Sequence, residues 1–292
     1  MGNPFFISDV FCTEKFSGNQ LATVLVKSPL SDDEMQKIAM EFNFPETTFI
    51  LNPEEKKPAF DVRIFTPDRE VPFAGHPTLG TSFIIWDRLL KRATDKIILN
   101  LKVGEIPVTV EEGGKILWMK QRDGIFGEIH DREETAKVLS LPVNAIGEKF
   151  PVQEVSTGLP FIMVPLTSLE FMKQARVDMG MYEDYFSRRE ENPFFLFCDE
   201  TYDKKNQINA RMFAHIFGIA EDPATGSASG CLGEYMQRYK FLGNDPIDIS
   251  LEQGFEIGRN AIINVKVEDS ALPYNRIAVG GRVIVVAEGM LC

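Results

Sequence analysis

The sequence has few cysteines and no long apolar run. The four cysteines, Cys12, Cys198, Cys231 and Cys292, lie far apart and form no CxxC pair and no His/Cys cluster with metal-ligand spacing. We therefore expect buried thiols rather than a disulfide framework or a zinc site, and no metal. No stretch approaches the roughly 20 apolar residues that span a bilayer, and the first residues lack a basic segment followed by an apolar core. The expected location is cytoplasmic.

The sequence also lacks positive charge. It has 31 lysines and arginines against 43 aspartates and glutamates, a net charge of -12, and a pI of about 4.9. No run of basic residues offers a footprint for nucleic acid or for an anionic membrane, so neither partner is expected. The length of 292 residues, the 44% hydrophobic content and the 23 phenylalanines indicate a globular protein of two ordinary domains or one large one.

Alternating β-branched and aromatic residues predict many strands, and several segments predict helices, including DREETAKVLS and a segment near 178–190. SDDEMQKIAMEF, residues 31–42, carries Ser31 and Glu34 at the spacing of a capping box. HPTLGTSFIIWDRLL, residues 76–90, is apolar almost all round, which predicts a buried helix. DPATGSASGCLGEYMQRYK, residues 222–240, predicts a second apolar helix.

The strand pattern begins again after Gly124, which indicates two domains. We place them at 1–124 and 125–292, with the strand 279–292 a candidate to pair with the first domain. Arg63-Ile64-Phe65 precedes the first apolar helix, and Arg211-Met212-Phe213 precedes the second. Each half then reads as strand, loop and buried helix, so duplication is the interpretation we favour.

The beginnings of the two apolar helices resemble each other. Pro77 and Pro223 fit the first helical position, which places His76 and Asp222 at the caps. A helix start leaves several backbone N–H groups unpaired and carries partial positive charge, so it binds a carboxylate or a developing enolate oxygen. If a pseudo-twofold axis relates the halves, the two starts face each other across a cleft that holds a small acid.

Each residue at these helix starts also has a plainer interpretation. Glycines at 75, 80 and 226 let a ligand approach the backbone, or they only let the helices pack. His76 is placed to offer a proton to a ligand. Asp222 is a ligand-binding group or only an N-cap, and Ser227 is a ligand hydroxyl or a helix cap.

Glu46, in EFNFPETTFIL, is the candidate acid/base. It stands where the pattern changes from helix to strand, among apolar neighbours that would desolvate it. Desolvation raises the pKa of a glutamate toward neutrality, which suits a group that takes and returns a proton. The alternative is a solvated glutamate at a turn.

These motifs resemble the PhzF-like proteins of phenazine biosynthesis, which belong to the diaminopimelate-epimerase-like fold. The resemblance runs through nearly the whole chain in family order, and EDPATGSA together with GHPT is a specific pair. The matching stretches are DVFCTEKFSGNQLATVL (9–25), NFPETTFIL (43–51), RIFTPDREVPFAGHPTLGT (63–81), STGLPFIMVPL (156–166), EDPATGSASG (221–230), QGFEIGR (253–259) and VGGRVIVVAEG (279–289).

The resemblance implies an α+β fold of two pseudo-symmetric domains, each a rolled, mostly antiparallel sheet around a central helix. It implies an active-site cleft between the domains and a homodimer. It also implies roles for matching residues: Glu46 moves the proton, while His76, Asp222 and Ser227 orient the substrate and assist transfer. Gly75 and Gly226 supply backbone N–H groups at the two helix starts, and Asn19 lines the cleft.

The implied reaction is cofactor-independent isomerisation of a small cyclic amino-acid-like carboxylate, trans-2,3-dihydro-3-hydroxyanthranilate or an analogue. Epimerases of this fold use two thiols, one at each helix start, and here neither start carries a cysteine. An epimerase and a non-catalytic member that binds a metabolite or a protein remain the alternatives. The chain departs from the family's usual pattern at His215 and at Asn260, where relatives often have proline.

Overall fold

The computed structural model describes residues 2–51, 53, 59–243, 246–268 and 276–292. The chain divides into two compact units. Unit 1 contains Met1–Lys120 and Gly280–Cys292, and unit 2 contains Gln121–Val279. Within the described ranges, no helix has both the length and the apolar character needed to cross a membrane.

Strands make up most of both units. The strands are β1 (Asn3–Val10), β2 (Asn19–Leu25), β3 (Glu46–Ile50), β4 (Ala59–Phe65), β5 (Glu70–Val71), β6 (Lys96–Leu101), β7 (Gly104–Glu111), β8 (Ile116–Gln121), β9 (Ile125–His130), β10 (Val152–Ser156), β11 (Pro160–Pro165), β12 (Phe194–Cys198), β13 (Ile208–Ala214), β14 (Ile219–Asp222), β15 (Ile247–Gln253), β16 (Ala261–Val267), β17 (Ile277–Gly281) and β18 (Val283–Leu291). The α-helices are α1 (Asp32–Phe42), α2 (Gly75–Ile84), α3 (Arg132–Val138), α4 (Leu169–Gln174), α5 (Met179–Phe186) and α6 (Gly226–Tyr239).

Unit 1 is a mostly antiparallel sheet rolled around α2. Strand β1 pairs antiparallel with β2 and β18, β3 with β4, and β6 with β7, while β2/β3 and β4/β6 are parallel. Helix α2 contacts six strands of this sheet, β1, β2, β3, β6, β7 and β18. Nine of its ten residues are buried, because the helix is apolar on all sides and strands pack against it from several directions. The predicted central helix is confirmed.

Unit 2 is built in the same way around α6. The pairs β9/β10, β10/β11, β12/β13 and β15/β16 are antiparallel, while β11/β12 and β13/β15 are parallel. Helix α6 contacts β10, β11, β15 and β16, and eleven of its fourteen residues are buried. A separate apolar cluster covers the other face of this sheet and includes Met172, Tyr182, Tyr185 and Phe194.

The two units repeat one order of strand pairing. From β1 through β7, and again from β10 through β16, successive pairs are antiparallel, parallel, antiparallel, parallel and antiparallel. In each unit a short strand, β5 or β14, also pairs with the fourth strand and leads toward the central helix. The internal duplication predicted from a few residues is therefore confirmed by topology.

An arginine–glutamate pair recurs at the same place in both repeats. The guanidinium of Arg63 donates to both carboxylate oxygens of Glu70 at 2.8 and 3.0 Å. That of Arg211 donates to both oxygens of Glu221 at 2.9 and 2.7 Å. Each guanidinium also lies over the phenylalanine ring two residues further on, 5.0 and 4.8 Å from the ring centroid. The repeated Arg-x-Phe motif thus fixes the strand that precedes the central helix.

The exact starts of the two central helices correct the sequence-based prediction. Helix α2 begins at Gly75, so His76 is its second residue and Pro77 its third, not the cap and the first. Helix α6 begins at Gly226, and Asp222 is not its cap, because its backbone pairs with Met212 as the last residue of β14. Pro223 likewise lies before the helix. Pairing between the consecutive strands β13 and β14 extends the strand to Asp222, so the helix begins later than the helix-start pattern predicts.

Candidate active site

In unit 1 the sequence-predicted residues lie where two parallel strands and the central helix begin. Glu46 is the first residue of β3 and is paired with Leu21 of β2. Asn19, the first residue of β2, is fully buried. Gly75 and His76 are the first two residues of α2, and both are buried. The fold therefore places Asn19, Glu46, Gly75 and His76 at element starts within one unit.

The imidazole of His76 lies between a carboxylate and a backbone carbonyl. Its Nε2 atom is 3.3 Å from Oε2 of Glu46 and 3.3 Å from the carbonyl oxygen of Gln20. The carbonyl can only accept, so Nε2 carries the hydrogen and Nδ1 is the bare nitrogen of the neutral ring. Oε2 of Glu46 is the second oxygen near this nitrogen, although the single hydrogen of Nε2 is donated to the carbonyl of Gln20. The ionised form of the Glu46 carboxylate is the form able to take a proton.

His76 is uncharged near neutral pH. The residue is 6% exposed, and this burial lowers the pKa of His76 to about 3, against a smaller opposing effect of the Gln20 carbonyl. A neutral imidazole donates a hydrogen bond without carrying a full charge. His76 is therefore suited to orient a carboxylate or a substrate oxygen, rather than to act as a resting acid.

In unit 2 the loop before α6 forms a second polar group. The hydroxyl of Thr225 donates to Oδ2 of Asp222 at 2.5 Å. The side-chain amide of Gln253, which is fully buried, donates to the backbone carbonyl of Asp222 at 2.8 Å and to the Thr225 hydroxyl at 3.0 Å. Its oxygen accepts the backbone N–H of Thr225 at 3.0 Å. Asp222 is consequently held by a small buried network.

The first two residues of α6 complete the group in unit 2. Gly226 is buried, and its carbonyl accepts from the side-chain amide of Gln121 at 2.9 Å. Ser227, the second residue of the helix, is partly exposed. Because the first turn of a helix leaves its N–H groups without helical partners, this end of α6 presents donors beside a serine hydroxyl.

The strand register allows position-by-position comparison of the two repeats. Gly75 corresponds to Gly226 and His76 to Ser227 as the first and second residues of the central helices. The earlier alignment of His76 with Asp222 is thus wrong by several residues. Val71 pairs with Ile64 of β4, and Asp222 pairs with Met212 at the matching position of β13. Asp222 therefore corresponds to Val71.

The proposed acid/base has no acidic counterpart in the second repeat. Thr47 pairs with Phe65 in the first repeat, and Phe194 pairs with Phe213 in the second. Glu46, one residue before Thr47, therefore corresponds to Pro193. The repeats supply different chemistry: unit 1 carries the glutamate and the imidazole, and unit 2 carries the aspartate and the serine.

The thiols lie away from both helix starts. Cys231 is fully buried in the second turn of α6, and its burial raises the pKa of the thiol to about 12. Burial raises the pKa values of Cys12 and Cys198 to about 12 as well. Among the described residues, no three His, Cys, Asp or Glu side chains are grouped so as to hold a metal ion. The arrangement offers carboxylates, rather than thiolates, for proton transfer.

Sequence reasoning missed three participants. Thr225 and Gln253 both lie in stretches that carry the family resemblance, but their contact joins residues 28 positions apart. The third participant is the carbonyl of Gln20, a backbone group that fixes the His76 tautomer and leaves no signal in residue type. Register and tertiary contact were needed to find all three.

Comparisons with known proteins agree on one family. The family model described as phenazine biosynthesis-like protein, PhzC-PhzF, matches residues 8–289. An uncharacterized isomerase of Mesorhizobium japonicum is 30% identical over 304 residues, covering 98% of this chain and 98% of that protein. A trans-2,3-dihydro-3-hydroxyanthranilate isomerase of Pseudomonas aeruginosa is 29% identical over 286 residues, covering 98% of each chain.

A solved structure shares the fold throughout. The phenazine biosynthesis protein of the PhzF family from Bacillus anthracis superposes with a TM-score of 0.90 at 28% identity, and the match covers 100% of this chain and 99% of that one. The expected α+β architecture of rolled sheets around central helices is confirmed.

Proposed function

Because the chain belongs to the phenazine biosynthesis-like protein family and is an isomerase, we propose that it moves a proton within a small cyclic amino-acid-like carboxylate. The proposed substrate is trans-2,3-dihydro-3-hydroxyanthranilate or an analogue, the compound named for the Pseudomonas aeruginosa relative. Glu46 takes the proton from one atom of the substrate and returns it to another. The reaction then needs one acid/base and no resident cofactor.

The observation that carries the proposal is the pairing of Glu46 with His76. Nε2 of His76 lies 3.3 Å from Oε2 of Glu46, and the Gln20 carbonyl holds the ring hydrogen on that nitrogen. The side chain of Glu46 is only 17% exposed, so bulk water is largely excluded from the proposed base. This is the geometry expected of a base that keeps its orientation through two proton transfers.

The two helix starts supply the proposed binding groups. Backbone N–H groups at Gly75 and Gly226 are donors for the carboxylate of the substrate or for an oxygen that gains charge in the transition state. Asn19 adds a side-chain amide donor on unit 1, His76 lies beside Glu46 and orients the substrate, and Ser227 adds a hydroxyl on unit 2. Since the donors are backbone groups or neutral side chains, they stabilise developing negative charge without competing for the proton.

Asp222 is proposed to bind the amino group of the substrate. Its carboxylate is 6% exposed and is oriented by the hydroxyl of Thr225. An anion at this position would repel a substrate carboxylate but attract an ammonium group. The two units thus contribute complementary groups, since unit 2 has no equivalent of Glu46 and unit 1 has none of Asp222.

The test is NMR of the ring protons of trans-2,3-dihydro-3-hydroxyanthranilate during incubation with the protein in heavy water. We expect conversion by the wild type, and deuterium only at the carbon that receives the proton if solvent reaches Glu46 during turnover. Glu46→Gln removes the acid/base while keeping the size of the side chain and should lower turnover at least ~10³-fold. Glu41→Gln, the same change at an exposed position of α1, is the matched control.

Each outcome of this experiment selects one class of function. Turnover by Glu46→Gln at the wild-type rate would overturn the proposed mechanism. A product of unchanged constitution and inverted configuration would identify an epimerase. Saturable binding of the substrate without turnover, and with the same affinity in Glu46→Gln, would identify a binding protein. Absence of both binding and turnover would exclude this compound and direct the assay to other small carboxylates.

The proposed assembly is a cytoplasmic homodimer. It rests on the family resemblance alone. Light scattering coupled to size-exclusion chromatography measures the mass directly: the dimer has twice the 32.9 kDa of the chain. A mass of one chain at micromolar concentration would contradict it.

A further inference from the structure

We infer that Thr225 and Gln253 are positioning residues that orient the carboxylate of Asp222. The inference rests on the proposed function, in which Asp222 contacts the substrate. All three residues are in unit 2 and are almost completely buried, with exposed fractions of 6% for Asp222, 8% for Thr225 and 0% for Gln253. Neither Thr225 nor Gln253 is required to touch the substrate.

The hydrogen bonds have only one consistent direction. The amide nitrogen of Gln253 has no acceptor capacity, so it donates to Oγ1 of Thr225 at 3.0 Å. The single hydroxyl hydrogen of Thr225 is then free to point at Oδ2 of Asp222, 2.5 Å away. Successive bonds in such a chain polarise one another. The arrangement turns Oδ2 toward Thr225 and favours the ionised carboxylate.

The hydroxyl of Thr225 does not cap helix α6, although Thr225 is at the N-cap position. Thr225 is the N-cap residue of α6, where a threonine side chain commonly accepts an N–H of the first helical turn. Here the side chain makes no capping bond, and the backbone lies at φ −112° and ψ 88°. The hydroxyl hydrogen is therefore directed at Asp222, and the hydroxyl makes no bond to the first turn of the helix.

Unit 1 shows that the fold does not need these polar groups. The strand register and the helix cap match Asp222 with Val71, Thr225 with Ala74, and Gln253 with Leu101. All three counterparts are apolar, yet the same strand, loop and central helix are formed. The three polar residues occur together in one repeat and are absent together from the other.

Neighbouring polar pairs behave differently. Asn100 of β6 donates to Asp61 of β4 at 2.8 Å, and at the matching positions Asn209 of β13 donates to Glu252 of β15 at 3.3 Å. The pair is kept in both repeats even though amide and carboxylate have exchanged strands. Polar contacts that serve the architecture are thus duplicated, whereas the network around Asp222 is not.

Close packing holds Gln253 against the loop it serves. The next residue, Gly254, has φ +77°, and a Cβ there would lie 2.6 Å from the carbonyl oxygen of Pro223. Only glycine fits that contact. Pro223 follows Asp222 directly, so the end of β15 packs closely against the loop that carries Asp222.

The first test measures Asp222 itself and does not depend on catalysis. The variants are Thr225→Val, which keeps the shape without the hydroxyl, and Gln253→Leu, which copies Leu101 of unit 1. In protein labelled with ¹³C at aspartate Cγ, with Asp222→Asn assigning the signal, each variant should raise the pKa of Asp222 by about one unit. Both leave Glu221 paired with Arg211, so the neighbouring charges are constant. An unchanged pKa in both variants would overturn the inference.

The second test is a double-mutant cycle on turnover. Each variant should lower kcat/KM about tenfold or more in the wild-type background and less than about twofold in the Asp222→Asn background, with the same shift of the thermal midpoint in both backgrounds. Equal losses in both backgrounds would mean that the residues act on the fold. If no substrate is turned over, the proposed function fails, while the pKa of Asp222 still decides the positioning role.

Discussion

Arg211 makes a bidentate ion pair with Glu221, the residue that precedes Asp222, and both side chains are less than a tenth exposed. The guanidinium also donates to the backbone carbonyls of Met172 and Ala175 at 2.6 and 2.9 Å. One arginine therefore joins β13, β14 and the end of α4. Its counterpart Arg63 makes the same pair with Glu70, but nearer to the surface, with about a fifth of each side chain exposed.

The first prediction compares these two arginines. Arg211→Met leaves a buried carboxylate and two carbonyls without their donor, so we expect a loss of about 3–5 kcal/mol in the free energy of unfolding. Arg63→Met should cost only about 1–2 kcal/mol, because solvent reaches that pair. Urea denaturation measures both. Adding Glu221→Gln to Arg211→Met should recover part of the loss; no recovery, or equal losses for the two arginine variants, would contradict the argument.

The second prediction concerns acid stability. Burial lowers the pKa of His76 to about 3 in the folded protein, from 6.5 in the exposed imidazole. Between these values the unfolded chain binds more protons, so the contribution of His76 to stability is complete above pH 6.5 and is lost as the pH falls toward 3. From pH 7 to pH 5, the wild type should lose about 2 kcal/mol more than His76→Gln, measured by urea denaturation at each pH. Equal losses would show that His76 is charged in the folded state.

The third prediction concerns the thiols. Cys12, Cys198 and Cys231 are buried, and Cys292 is exposed. A thiol reagent at neutral pH should therefore modify Cys292 rapidly and the other three only after denaturation. Cys231→Ala should keep turnover within about twofold of the wild type, because no thiolate takes part in the proposed proton transfer. A large loss of turnover with unchanged thermal stability would favour a thiol-dependent reaction.

The fourth prediction separates two glycines in helices. A Cβ at Gly80 in α2 would lie 2.4 Å from Leu21 and 2.9 Å from Val10, so Gly80→Ala should cost about 1–3 kcal/mol. Gly180 in α5 has room for a methyl group, with its nearest neighbour at 3.4 Å, and Gly180→Ala should stabilise the protein by about 0.5–1 kcal/mol. Thermal unfolding distinguishes the two signs. A neutral Gly80→Ala would show that α2 can shift within its sheet.

Close packing explains why residue 80 is a glycine. The sequence left open whether this glycine admits a ligand or only permits packing, and the neighbouring Leu21 and Val10 side chains establish packing. The capping box of Ser31 and Glu34 was predicted from spacing and is present at α1, since both of its bonds are local. The sequence was sufficient to predict a contact when both partners lie within one turn of the same helix.

The prediction failed where strand pairing and tertiary contacts set the geometry. The residues from Asp222 to Thr225 were assigned to a helix because proline and small residues favour a helix start. Strand pairing with Met212 and the bond from Thr225 to Gln253 hold them outside it. The position of Glu46 at the start of β3 was predicted correctly, but its partner His76 is 30 residues away, and their 3.3 Å contact follows only from the roll of the sheet around α2.

The closing strand of unit 1 has a consequence for protein synthesis. Strand β18 lies along β1, although 272 residues separate the end of one from the start of the other in the chain. A ribosome delivers every strand of unit 2 before it delivers β18. The strands of unit 2 can therefore form their hydrogen bonds before β18 is available to pair with β1. If synthesis stops before β18, the edge of β1 stays unpaired and can associate with other nascent chains.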